Sequence, residues 1–200
     1  MRNRKHNRMK GYDYSRDNLY FITICVDGMR YCLGDVVDGN ADLNDNFDLN
    51  ANADLNDNAV GTSRDLSVHK GDVQKSSQKI MKLNSFGEIV KAQLNWLENQ
   101  YQYVVMHSEV VMPNHMHAIL EIDRSLVSEK GVKIKSLSEL VGAFKTTSSK
   151  LIRRSGFLEF KWKRSFHDHI IRNTKAYQHI SDYIQNNPSK WDHDVFNKTC

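Results

Sequence analysis

Two histidines lie one residue apart in Val110-Val111-Met112-Pro113-Asn114-His115-Met116-His117-Ala118-Ile119-Leu120, on an otherwise apolar run. Side chains alternate along a strand, so His115 and His117 project to one face while Met116, Ala118 and Leu120 take the other. Their α-carbons then stand roughly 6.5–7 Å apart, a separation from which two imidazoles can converge on one cation at the sheet surface. Spacing alone does not select this pair. The chain has nine histidines, and His167-Asp168-His169 repeats the arrangement.

The other residue types narrow the chemistry. Three cysteines (Cys25, Cys32, Cys200) form no CxxC pair, which argues against a disulfide framework and a thiolate zinc site. Net charge is +4, but residues 38–60 hold six Asp and no Lys or Arg, leaving 28 basic against 18 acidic residues elsewhere. That balance favours a polyanionic partner. The apolar runs are too short to span a membrane, and the N-terminus has no secretory pattern, so a bacterial-type cytoplasm is expected.

The elements that must position such residues are legible around one low-complexity stretch. NADLNDN occurs at 40–46 and again at 52–58. Its Asn, Asp and Ala cannot build a core, so 38–79 reads as a disordered or loosely ordered insertion in a single domain spanning 1–200. Calcium binding there is a weak alternative, because Phe47 and Ala53 stand where an EF-hand loop needs Gly and Glu. Leu19–Val26 reads as a strand, and Ser85-Phe86-Gly87-Glu88 has capping-box spacing before a helix. Strands follow at about 107–112 and 115–122, then a helix opened by a second capping box, Ser136-Leu137-Ser138-Glu139. Residues 164–172 read as a strand, and Asn173 caps a last helix that Pro188 stops. The order β-α-β-β-α-β plus a C-terminal helix predicts an α+β fold of ferredoxin-like (RRM-like) type, with an antiparallel sheet and helices on one face.

The run VVMPNHMHAIL resembles the histidine–hydrophobe–histidine strand of the HUH single-tyrosine transposases. KGYDYSRDNLYFITICV, LSELVGAFKTTSSKL and WKRSFHDHIIRNTKAYQHISDYIQNNPSKW are similar, in order, to their REP-associated branch. The likeness covers roughly residues 10–35 and 80–196, with the Asn/Asp-rich stretch outside it. The resemblance implies that a tyrosine in HISDYIQNNP, Tyr183, attacks a DNA phosphate, and that Asn187 is an amide third metal ligand beside His115 and His117. It implies Mg2+ or Mn2+ as cofactor, a 5′-phosphotyrosine intermediate, single-stranded or palindromic hairpin DNA as substrate, and a homodimer. Helical spacing sets Tyr183 and Asn187 on one side of the last helix.

DNA also needs phosphate neutralisation and stacking platforms. The N-terminal arm offers Arg2, Arg4, Lys5, Arg8 and Lys10, and the second helix offers Lys145 and Lys150. FKWKRSF interleaves Lys161, Lys163 and Arg164 with Phe160, Trp162 and Phe166. For His167, Asp168 and His169 the preferred reading is polar side chains that merely face water from the sheet, with orientation of ligands or DNA contact as the alternative. Competing functions are a DNA-binding module of this fold without cleavage activity and a plasmid-type nicking enzyme. A structural zinc domain ranks last.

Overall fold

Antiparallel pairing around one central strand organises the chain. The structure is a computed structural model that describes residues 11–39, 78–129 and 131–197. Strand β1 (Asn18–Cys25) is followed by a short ribbon, β2 (Gly34–Asp38) and β3 (Lys79–Leu83). Helix α1 (Ser85–Gln100), strands β4 (Val104–Met112) and β5 (His115–Ile122), helix α2 (Leu137–Arg154), strand β6 (His167–Ile171) and helix α3 (Thr174–Gln185) complete the order. A 3-10 turn, Pro188–His193, follows α3. No helix among the described residues is long and apolar enough to cross a membrane.

The main sheet runs β4-β5-β1-β6, all antiparallel. This is the expected ferredoxin-like order. On one face Tyr20, Ile22 and Ile24 of β1 meet Met116, Ala118, Leu120 and Ile122 of β5, beneath Val90, Leu94 and Leu97 of α1 and Leu140, Val141 and Phe144 of α2. The alternation then sends Phe21, Thr23, His115, His117 and Ile119 to the opposite face. Sequence periodicity leaves that face open. In the structure α3 covers it, packing Ile184, Ile180 and Tyr183 on Ile119, Ile171 and Phe21.

Two helix starts differ in kind. Ser136 forms the expected capping box with Glu139. At α1 the box at Ser85 does not form. Asn84 caps instead, its Oδ1 accepting from the N–H groups of Phe86 and Gly87, both at 3.0 Å. An amide one residue earlier satisfies two orphan donors at once, so Ser85 falls inside the first turn. Gly87 is required there for space, since a Cβ would stand 2.0 Å from the Leu33 carbonyl oxygen.

The β2–β3 ribbon corrects the sequence reading of 38–79. Its outermost pair is Asp38 with Lys79, so both ends of that stretch are strand residues, and Gly39 N–H donates to Gln78 O at 2.9 Å. Short, half-exposed strands beside low-complexity sequence give little periodic signal. Gly34 starts the ribbon at φ +134°, where a side chain would strike Lys82 O. The remainder of the insertion, with its NADLNDN repeat, lies outside the described residues.

Because residues 40–77 leave and re-enter at one paired position, their removal leaves the sheet intact. Each halving of a closed loop returns about 0.6 kcal/mol. Replacing 40–77 by a four-residue Gly-containing turn should hold or raise stability, by up to about 2 kcal/mol in urea unfolding. A loss of stability would show that the segment packs on the domain.

Candidate active site

The site lies between the α3 face of the sheet and the chain that follows α3. His115 pairs across β4 and β1 with Met112 and Cys25, and His117 with Val110 and Thr23. Both lie on an inner strand, His115 at its first paired position, and are 0–1% exposed. This corrects the expectation of a surface pair: the rings do leave the main core, but α3 and residues 191–197 roof them. The Phe196 ring packs tilted, 4.5 Å from the His115 ring centroid, and Trp191 lies 6.0 Å away.

The two imidazoles converge. His115 Nε2 and His117 Nε2 are 3.1 Å apart, while each Nδ1 has a partner behind it, Asn114 Oδ1 at 2.8 Å and Thr23 Oγ1 at 2.8 Å. Burial holds both rings neutral. It pushes His115 down to about 2, helped by His117, and His117 down to about 3.

Helix α3 brings the other two groups. Asn173 Oδ1 caps its N-terminus. Ser181 Oγ meets Ser108 Oγ of β4 at 2.9 Å, and Tyr177 Oη meets His107 Nδ1 at 3.3 Å where β4 bulges. With these contacts fixed, Tyr183 Oη lies 3.3 Å from His117 Nε2, its ring edge-on to Phe21 and His117. Burial, then the Asp194 carboxylate, holds this phenol above its ordinary range, and an Asn187 hydrogen bond opposes them.

Asn187 stands two residues past the end of α3 with helical backbone angles, its N–H donating to Ile184 O at 3.3 Å, and its side chain still reaches Tyr183. The helix end itself is closed by Asn186, whose Nδ2 donates to Asp182 O at 2.7 Å. Asn187 Nδ2 donates to Asp194 Oδ2 at 3.2 Å, which turns Oδ1 the other way. That oxygen is buried and has no hydrogen-bond partner among the described residues. An unmet buried acceptor costs about 1–3 kcal/mol.

These donors fit a divalent cation. Two ring nitrogens bonded at ~2.1 Å at right angles would be ~3.0 Å apart, close to the separation seen, and the unpartnered Asn187 Oδ1 is a neutral amide oxygen of the type a third ligand would need. Groups of three His, Cys, Asp or Glu are absent among the described residues, because the third member here is an amide. Sequence reasoning missed Thr23, Asn114 and Asp194. Asn114 adjoins His115 and Thr23 interrupts an apolar strand, but Asp194 carries no sequence signal.

The proposed DNA contacts are unevenly placed. Arg2, Arg4, Lys5, Arg8 and Lys10 lie outside the described residues. Lys150, Lys161 and Arg164 are exposed, and Lys163 is half-buried. Lys145 is turned inward: Nζ donates to the carbonyls of Lys163, Arg164 and Ser165 and sits 5.5 Å from the Phe166 ring centre. Phe160, Trp162 and Phe166 belong to the core, so they are not stacking platforms. Trp162 Nε1–H is satisfied by Ser148 Oγ at 2.9 Å. His167 and His169 sit on β6, beyond β1 from His117, opposite Thr23 and Phe21. His169 lines an edge cavity of about 340 Å³ with Tyr14, Arg172 and Asn173.

No protein-family model matches the chain. An uncharacterized protein of Haemophilus influenzae is 25% identical over 205 residues, covering 96% of this chain and 91% of its own. Among solved structures, the chain is similar to a REP-associated tyrosine transposase bound to a REP hairpin, with TM-score 0.48, 16% identity, and 94% of this chain and 74% of that one covered. It is also similar to a candidate transposase of Deinococcus radiodurans R1, with TM-score 0.41, 14% identity and 90% and 95% coverage.

The placement of the lysines separates their roles. Lys145→Ala should lower stability by about 1–3 kcal/mol through lost charged hydrogen bonds, whereas Lys150→Ala should stay within about 0.5 kcal/mol. Urea midpoints of the two variants check this.

Proposed function

We propose that the chain is a metal-dependent DNA strand transferase of the HUH single-tyrosine, REP-associated type. It cleaves and rejoins single-stranded or palindromic hairpin DNA. One observation carries this reading: Tyr183 Oη lies 3.3 Å from His117 Nε2, which lies 3.1 Å from His115 Nε2, while Asn187, four residues on from Tyr183, keeps a buried Oδ1 that has no hydrogen-bond partner among the described residues. A buried packing tyrosine needs none of those companions. The sequence resemblance supplies the substrate class.

His115, His117 and Asn187 would hold Mg2+ or Mn2+. When bound, such an ion supplies Lewis-acid polarisation of a phosphate oxygen, and its three neutral ligands leave its charge undiminished. Asp194 steadies Asn187. Tyr183 Oη attacks the phosphorus, the bond from phosphorus to the 3′-oxygen breaks, and the phenolic proton passes through solvent to the departing 3′-oxygen, which becomes a 3′-hydroxyl. The product is a 5′-phosphotyrosine. Since one phosphoester replaces another, a 3′-hydroxyl from a second DNA end can reverse the step and join strands without a nucleotide cofactor.

All four groups come from one chain, so the homodimer implied by the resemblance is not needed to assemble the site. Exposed Lys150, Lys161 and Arg164, with the basic N-terminal arm, would neutralise DNA phosphates. The cellular setting in this reading is the nucleoid of a bacterial cytoplasm.

Tyr183→Phe should abolish the covalent protein–DNA adduct formed with Mn2+ and a hairpin substrate, while hairpin affinity stays within about twofold of wild type. Denaturing gels of labelled DNA and a filter-binding titration read the two quantities. Adduct formation by the variant, or parallel loss of binding in a folded variant, would contradict the assignment.

A further inference from the structure

Hydrogen bonding fixes the proton on one of the two rings and leaves it movable on the other. Asn114 Nδ2 lies 2.9 Å from Phe196 O and 3.3 Å from Met29 O, and both partners only accept. The amide nitrogen therefore faces them, and Oδ1 faces His115. An amide oxygen cannot donate, so His115 Nδ1, 2.8 Å away, carries that ring's proton. His115 Nε2 is then a lone pair.

That lone pair faces His117 Nε2 at 3.1 Å. Were His117 also protonated on Nδ1, two lone pairs would oppose each other at hydrogen-bond distance inside a buried site. Either a proton or a cation must lie between them. Behind His117 stands Thr23 Oγ1, 2.8 Å from Nδ1 and itself only 5% exposed. A hydroxyl differs from an amide here, because it donates or accepts by rotation.

We infer that Thr23 is a positioning residue that lets His117 exchange tautomers as a divalent cation enters, while Asn114 locks His115 in the ligating tautomer throughout. This rests on the metal reading above. Without a cation, Thr23 Oγ–H donates to Nδ1 and His117 Nε2–H donates to His115 Nε2. With a cation, the Nε2–H bond breaks, an Nδ1–H bond forms through solvent exchange, and Thr23 Oγ1 rotates to accept from it. The ring remains neutral and no net proton is released by it. The partner behind a ligating histidine is what fixes its tautomer, and loss of such partners costs 10–100-fold in metal affinity.

Long-range ¹H–¹⁵N spectra of the ¹⁵N-labelled wild-type chain, without and with Zn2+ as a diamagnetic probe, read the tautomers directly. His115 should be Nδ1–H in both states, and His117 should change from Nε2–H to Nδ1–H. An Nδ1–H His117 in the metal-free protein overturns the inference. In parallel, Thr23→Val should bind Mn2+ at least about tenfold more weakly by electron paramagnetic resonance titration, with Thr23→Ser within about threefold of wild type. Wild-type rings that do not respond to Zn2+ at all overturn the metal reading together with the inference. Metal binding through both rings with an unaffected Thr23→Val overturns the inference alone.

Discussion

The molecule depends on a 3.1 Å approach of two imidazole nitrogens whose rings are 0–1% exposed. Polar atoms brought that close in a low-dielectric interior need something between them, and the cost of leaving them unmet is charged to the fold. Most of the surrounding structure prepares this contact. β5 is flanked on both sides by paired strands, so the backbone beneath the rings is held by two hydrogen-bond ladders. Asn114 and Thr23 fix the back of each ring, and the segment after α3 closes the front.

Helix α3 converts that pair into a site with chemical direction. Its apolar stripe would dock a helix on any greasy sheet face, but the Ser108–Ser181 and His107–Tyr177 contacts specify one axial position. At that position Tyr183 reaches His117, and Asn187 lies one turn beyond. Asn186 takes over the work of ending the helix, which frees Asn187 for another use. The carboxylate of Asp194 completes the arrangement by choosing which end of the amide points inward.

Much of this was legible in the residues. Alternation and capping chemistry place seven of the elements, and the H-x-H spacing on a strand does make both rings share a face. Their burial was not legible, since alternation describes the sheet and is silent about what a later helix covers. The ribbon of β2 and β3 escaped for a related reason: five-residue strands with half-exposed faces carry no period, and their ends merge into Asn/Asp-rich sequence. Trp162 and Lys145 both differ from the expected nucleic-acid surface by turning inward. Interleaved basic and aromatic residues suggest a nucleic-acid surface, yet β-type alternation after α2 turned the aromatics into the core, and a lysine can cap carbonyls as well as bind phosphate. Tyr183 and Asn187 came from the resemblance, because a helix-border tyrosine and an asparagine before proline are ordinary by themselves.

In the proposed mechanism His115, His117 and Asn187 share one divalent ion beside the Tyr183 hydroxyl. Crystals of the protein soaked in Mn2+ and measured at the manganese absorption edge test it most directly. One strong anomalous peak is expected within ligand distance of both Nε2 atoms and Asn187 Oδ1. A fully soaked crystal with no peak between these three atoms, or with the ion held elsewhere, would contradict it.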